Sequence, residues 1–154
     1  MAPEPSPEAP NGSGLTTCDL YDADETLQSC SVQFLDLGGR TRFTGPVRTI
    51  RCHRDNGLVK QVLNGPGEGA VLVVDGGGSL ESALMGDRIA AAAVRNGWAG
   101  VVIHGAVRDR AVVGGLELGV KALGSNPRTS AKDGAGELDV PVEFGGVLFT
   151  PGAR

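Results

Sequence analysis

The sequence predicts an α/β domain, and two observations carry that expectation. Ala70–Val74 (AVLVV) and Ala99–Ile103 (AGVVI) are short apolar runs without alternation, the pattern of strands buried on both faces inside a parallel sheet. Between them Ile89, Ala90, Ala93 and Val94 recur at helical spacing, and Asn96-Gly97 supplies a helix stop. Residues 70–104 therefore read as one strand–helix–strand unit. Such crossovers are right-handed and place both strand C-termini on one edge, the edge at which ligands bind in α/β sheets.

The other elements follow in chain order. Residues 1–14, MAPEPSPEAPNGSG, hold four prolines, two glycines and two glutamates. They lack apolar side chains for a core and read as a disordered tail, with one folded domain over 15–154. Thr16 or Thr17 is placed to cap a short helix reaching about Leu27, with Asp19 in its first turn. Ser31–Leu37 alternates as a strand does, and Gly38-Gly39 turns the chain into a second strand over Arg42–Cys52. Pro46 makes that strand an edge, bulged or broken. Asp55 and Asn56 start a helix carrying Leu58, Val59, Val62 and Leu63, which Gly65-Pro66-Gly67 ends. Asp75-Gly76-Gly77-Gly78 breaks the first buried strand, and the second is expected to end at His104-Gly105. A short strand over Gly119–Leu123, a polar loop over Pro127–Gly136, and strands at Val140–Phe144 and Val147–Thr150 complete the reading. The chain stops directly after a strand with no closing element, which predicts a clipped or unusually short C-terminus.

Composition excludes several functions. The net charge of −4 in 154 residues disfavours direct binding to a phosphate backbone. Four Phe, one Trp and one Tyr are too few for a base-stacking platform. No apolar run approaches the roughly 20 residues that span a bilayer, and the N-terminus is no signal peptide. Cys18, Cys30 and Cys52 are odd in number and widely spaced. They predict three buried thiols in a reducing cytoplasm, with neither a disulfide framework nor a CxxC zinc site.

Chemistry converges on one expected rim. Gly86-Asp87 reads as a helix start, whose free N–H groups and positive dipole end suit a carboxylate or phosphate. Arg108-Asp109 follows the second buried strand, and Asp75-Gly76-Gly77-Gly78 is expected at the same edge. Arg108 can grip a carboxylate or stabilise an oxyanion. Asp109 can hold a divalent cation of the Mg²⁺ type, which needs only one or two protein carboxylates beside water and substrate oxygens. That set suits a small 2-keto acid. GGGS is not a dinucleotide fingerprint, and neither a P-loop lysine nor a nucleophile elbow is present. His53 and His104 read as structural, Trp98 as packing, and Lys121, Arg128 and Lys132 as members of solvated loops.

The run VLVVDGGGSLESALMGDRIAAAAVRNGWAGVVIHGAVRD, continued by LGVKALGSNPRTSAKDGAGELDVPVEFGGVLFTPG, resembles the family named for regulator of ribonuclease E activity A. That family also holds metal-dependent 4-hydroxy-4-methyl-2-oxoglutarate aldolases. The similarity spans about Leu15 to Gly152. It implies a compact swivelling-type β/β/α domain with a β-sandwich element, assembled as a cytoplasmic homotrimer with sites between subunits. It also implies substrate-binding backbone at Gly86, Asp87, Arg88 and Ile89, a substrate-gripping Arg108, and Asp109 as ligand to Mg²⁺ or Mn²⁺. Where the aldolase pattern carries an acid three positions after the metal-binding aspartate, this sequence has Val112.

The resemblance thus implies a class II aldolase that cleaves 4-hydroxy-4-methyl-2-oxoglutarate to two pyruvates, with oxaloacetate decarboxylation as a side activity. Arg108 and Asp109 are the catalytic pair. A metal-bound water and Asp87 are the candidates for general base. The alternative is a non-catalytic regulator that binds and inhibits a ribonuclease E-type enzyme, its acidic surface meeting a basic partner. A methyltransferase reading applied to some relatives finds no cofactor-binding motif in this sequence.

Overall fold

The computed structural model describes residues 14–154, so the tail expected over 1–14 lies, but for Gly14, outside the described residues. Helix α1 (Thr17–Ala23) opens with a capping box. The Thr16 hydroxyl accepts from the Asp19 N–H at 3.0 Å, and the Asp19 carboxylate accepts from the Thr16 N–H at 3.1 Å. It stops short of the expected Leu27, and none of its residues is buried.

Strands β1 (Leu35–Asp36), β2 (Val47–Arg51), β3 (Val71–Asp75), β4 (Ala83–Met85), β5 (Gly100–Val107), β6 (Gly119–Ser125) and β7 (Glu137–Leu138) form one sheet. Its order is β1-β6-β5-β3-β2-β7, with β4 paired to β5 beyond the end of β3. The inner strands β2, β3, β5 and β6 run parallel, and the two-residue strands β1 and β7 close the edges antiparallel. Pro46 sits just before β2, which is an inner strand because β7 pairs with Ile50 and Arg51.

One face of the sheet is covered by α2 (Gly57–Leu63) and α3 (Asp87–Arg95). Leu58, Val59, Val62 and Leu63 of α2 and Ala90 and Ala93 of α3 are buried there with Leu72, Val74, Val101 and Ile103 of β3 and β5. Each such branched side chain contributes about 1.5–3 kcal/mol on burial. The other face receives the hairpin β8 (Val142–Phe144) and β9 (Val147–Phe149), with Val142 and Phe144 packed on Val71 and Val73. This is the β-sandwich element that the resemblance implied. Trp98 packs at 3% exposure, its indole N–H donating to the Gly65 carbonyl at 3.1 Å.

Three expectations are corrected. Only Leu35–Asp36 of the 31–37 run pairs as a strand. Strand β5 runs on through His104-Gly105 to Val107, because its upper half has its own partners in β4 and β6. The cysteines differ in environment, with Cys18 exposed, Cys30 half-buried and Cys52 alone fully buried. Burial, then the charges of Asp55 and Asp75, push the Cys52 thiol up to about 12.

Candidate functional site

The site stands where β4 and β5 end side by side. Met85 pairs with Val107, and the Arg108 N–H donates to the Met85 carbonyl at 2.9 Å. The next residues of the two strands, Gly86 and Arg108-Asp109, therefore meet at one rim. Gly86 caps α3 with extended backbone. Asp109 starts α4 (Arg110–Val113) from the left-handed region, φ 57°, which aspartate tolerates better than most residues. That turn throws its carboxylate back onto α3, where it accepts from the Asp87 N–H at 3.2 Å.

The close approach explains the glycine. A Cβ on Gly86 would lie 2.8 Å from Asp109 Oδ2 and 3.0 Å from Arg108 Cγ. The tip of α3 is also largely taken by the protein's own acids, since the Asp87 carboxylate accepts from the Arg88 N–H at 2.9 Å. Arg108 Nε stands 3.8 Å from Asp109 Oδ2, beyond hydrogen-bond range, and is buried with no hydrogen-bond partner. A guanidinium N–H left in that state favours an incoming oxygen.

These residues line a cleft of about 510 Å³ with Asn56, Lys60, Ala83, Met85, Ile89, Thr129 and Lys132. All six residues expected from the sequence, Gly86, Asp87, Arg88, Ile89, Arg108 and Asp109, belong to it. The Asp75-Gly78 loop does not line it. The Gly76 and Gly78 N–H groups donate to the His104 carbonyl halfway along β5, so the loop leaves the sheet below the rim. Asp75 faces the hairpin side instead. Its carboxylate lies 3.7 Å from His104 Nδ1, and the His104 ring stacks on Phe144 with centroids 4.6 Å apart. That loop leads into strand β4 rather than into the helix N-terminus that a dinucleotide fingerprint uses.

Sequence reasoning missed Asn56, Lys60 and Thr129 and left Lys132 in solvent. No local pattern marked them: Lys60 lies on the exposed side of α2, off the apolar stripe of Leu58, Val59, Val62 and Leu63. The contact that joins α2 to the 129–134 loop is set by tertiary structure. The Asp55 carboxylate accepts from the N–H groups of Gly57 at 2.9 Å, Asp133 at 3.1 Å and Gly134 at 3.1 Å. Burial alone would raise its pKa, but these backbone donors together hold it below the usual carboxylate range.

A divalent cation fits this donor set in one way. Among the described residues no group of three or more His, Cys, Asp or Glu converges as a closed metal cage. Asp109, with a side chain about one-third exposed beside Asp87 and the cleft, suits a hard cation that keeps most of its sites for water and ligand oxygens.

The profile of the RraA-like family, described as Aldolase/RraA, matches residues 17–154. The chain belongs to the RraA-like family. Solved structures agree. A Thermus thermophilis protein described as the RNA-processing inhibitor RraA is 48% identical, with a TM-score of 0.87 over 90% of this chain and 84% of its own. A Geobacillus kaustophilus protein described as an S-adenosylmethionine:2-dimethylmenaquinone methyltransferase is 46% identical, with a TM-score of 0.88 over 90% of this chain and 86% of its own. A Streptomyces coelicolor protein, RraAS2, described as an unusual member of the RNase ES inhibitor RraA family, is 30% identical. Its TM-score is 0.70 over 88% of this chain and 70% of its own. Among the described residues no helix is long and apolar enough to cross a membrane.

Proposed function

We propose that this RraA-like chain is a divalent-metal-dependent aldolase acting on 4-hydroxy-4-methyl-2-oxoglutarate, with oxaloacetate decarboxylation as a second activity of the same cleft. The observation that carries the reading is the meeting of Asp109, Arg108 with its unbonded Nε, and the Gly86 helix start at the paired ends of β4 and β5. Asp109 holds Mg²⁺ or Mn²⁺, which supplies Lewis-acid polarisation of the keto acid. Gly86, Asp87, Arg88 and Ile89 form the wall against which the substrate lies. Breaking the C3–C4 bond leaves an electron pair that delocalises onto the 2-keto oxygen, and Arg108 offsets that charge. A proton leaves the C4 hydroxyl and one is delivered to C3, so both fragments depart as pyruvate. Loss of carbon dioxide from oxaloacetate leaves the same pair in the same place.

A cytoplasmic homotrimer with the cleft at a subunit boundary belongs to the same proposal. In support, α1 buries none of its residues, and Leu15, Leu20, Tyr21 and Leu27 are all exposed. A solution mass near three times the chain's 15.7 kDa is expected, and a monomer overturns the assembly.

A specific observation favours a second reading. Val112, at the position where the aldolase pattern has an acid, is 54% exposed on α4 beside the cleft. An apolar side chain there suits contact with a protein. The 48%-identical relative is described as an RNA-processing inhibitor. On this reading the chain binds and inhibits a ribonuclease E-type enzyme. One experiment separates the two. Purified protein receives oxaloacetate or the aldol substrate with Mg²⁺, and pyruvate is followed by a coupled reaction. Pyruvate release abolished by EDTA and by Asp109→Ala supports the aldolase. No pyruvate from either substrate, together with binding to a ribonuclease E fragment, overturns it in favour of the regulator.

A further inference from the structure

We infer that Asn126, which stands outside the cleft lining, is the positioning residue that fixes the paired ends of β4 and β5, and with them Gly86, Arg108 and Asp109. The inference rests on the reading of that cleft as the active site and adds the contact that holds its geometry.

The strands themselves call for such a residue. β4 is three residues long, and its register against β5 shifts between Ala83 and Met85. An element so short keeps its place only through what flanks it. Its edge away from β5 meets the 128–131 segment. There the Ala83 N–H donates to the Arg128 carbonyl at 2.8 Å, and Ala83 bridges Thr129 in parallel. The buried Ser130 hydroxyl, 2.7 Å from that of Ser82, donates to the Ala83 carbonyl at 2.7 Å. This segment comes from β6, which lies on the opposite side of β5, so the chain must cross over the end of β5 to reach β4.

Asn126 stands at that crossing, directly after β6, and bonds three segments at once. Its backbone N–H donates to the carbonyl of Val107, the last residue of β5, at 3.0 Å. Its side-chain NH2 donates to the Leu80 carbonyl at 2.8 Å, in the loop that enters β4. Its Oδ1 accepts from the Arg128 N–H at 2.9 Å, in the segment that flanks β4. A primary amide donates and accepts together, whereas a carboxylate of the same size only accepts and alanine does neither. Pro127 biases Asn126 toward extended backbone and so helps to hold the crossing open. The next residues of the two strands are the rim, where the Arg108 N–H donates to the Met85 carbonyl at 2.9 Å. A slack crossing therefore loosens β4 on both edges, and Gly86 and Arg108 are the first groups to drift. Asn126 is half-buried, so its replacement opens no large cavity in the core.

The test is amide hydrogen exchange on the full chain as wild type, N126A and N126D, with thermal melts and calorimetric binding of pyruvate in Mg²⁺. In N126A the Arg108 amide is expected to exchange about tenfold faster, the local loss of about one hydrogen bond. The pyruvate Kd is expected to weaken about tenfold at unchanged stoichiometry. N126D keeps the Arg128 contact, loses the Leu80 contact and sets a carboxylate against a carbonyl. It is expected to shift both quantities in the same direction, and it carries the test where N126A does not fold. A merely structural role would speed exchange at Ala83 and Arg128 alone and lower the stoichiometry at an unchanged Kd; that pattern overturns the inference. So does an Arg108 amide that stays as protected as in wild type, and so does failure of both variants to fold, which makes Asn126 a requirement of the fold. A wild type that binds no pyruvate and releases none from oxaloacetate overturns the aldolase, while faster exchange at Arg108 in the variants still upholds the role of Asn126 in placing the rim.

Discussion

Replacing Gly86 with alanine tests the geometry of the rim in its most economical form, because one methyl group is added and no charge is removed. The new Cβ would sit 2.8 Å from Asp109 Oδ2, 3.0 Å from Arg108 Cγ and 3.4 Å from Arg108 Cδ. Non-bonded heavy atoms settle at about 3.5–4.0 Å, so the Asp109 carboxylate retreats by roughly half an ångström or more. Its bond to the Asp87 N–H, already 3.2 Å long, is then lost. The cost to the fold is small. Losing the charged hydrogen bond costs about 1.5 kcal/mol before rehydration of a group that is one-third exposed. Alanine is a poorer helix cap than glycine, and the stiffer unfolded chain returns about 0.4–1 kcal/mol. The net is about 1 kcal/mol, or a fall in Tm of about 2–4 °C. Catalysis suffers more, since a displacement of this size costs about 100-fold in turnover. Pyruvate release from oxaloacetate, measured beside a thermal melt, reads both quantities. Turnover within about threefold of wild type refutes the reasoning, because both groups would then work from other positions. A fall in Tm beyond about 10 °C refutes it too, by making Gly86 a requirement of the fold.

Arg108→Ala is expected to lower pyruvate release about 100- to 1,000-fold while costing under about 1 kcal/mol of stability, since its side chain is over one-third exposed and its nearest carboxylate lies at 3.8 Å. Turnover and denaturant midpoint measured on one preparation check this; equal losses in both would make Arg108 a structural ion pair. Asp55, held below the usual carboxylate range, gives a stabilisation complete above the ordinary carboxylate pKa of about 4 and lost as the pH falls through its lowered folded value. The Tm of D55N is therefore expected to be lower at neutral pH and to change less than that of wild type between about pH 4 and pH 2. For thiol reagents at pH 8, exposed Cys18 reacts at once, whereas Cys52, buried and pushed up to about 12, reacts only on unfolding. Peptide mapping of the labelled native protein checks the order.

The parts of the molecule that local pattern specifies were legible. AVLVV and AGVVI lie within or against the inner strands β3 and β5, and the helical stripe between them is α3, starting after Gly86. Elements defined by pairing were not. Strand β4 is three residues long, too short for any periodicity, and is a strand only because β5 continues far enough to pair with it. Gly105 hid that continuation, since glycine after histidine reads as a strand end. In the sheet it lies against Leu84 and the Ser79 carbonyl, and the chain runs straight through.

That single misreading explains why the rim was legible in one half and illegible in the other. With β5 ending at Gly105, Asp75-Gly78 and Arg108-Asp109 share an edge. With β5 ending at Val107, the glycine loop docks on the His104 carbonyl, and β4 takes over the place beside β5 that β3 has left. The rim is thus built by β4 and β5, and Asp75 turns to the aromatic face with His104 and Phe144. The room that Asp75 was expected to occupy is filled from two other segments, the start of α2 and the 129–132 loop, which bring lysines rather than a carboxylate. The change in strand register therefore also changes the charge of the cleft. An edge expected to add Asp75 beside Asp109 is instead a cleft with four cations, Lys60, Arg88, Arg108 and Lys132, around two acids, Asp87 and Asp109, a balance of charge that favours an anion.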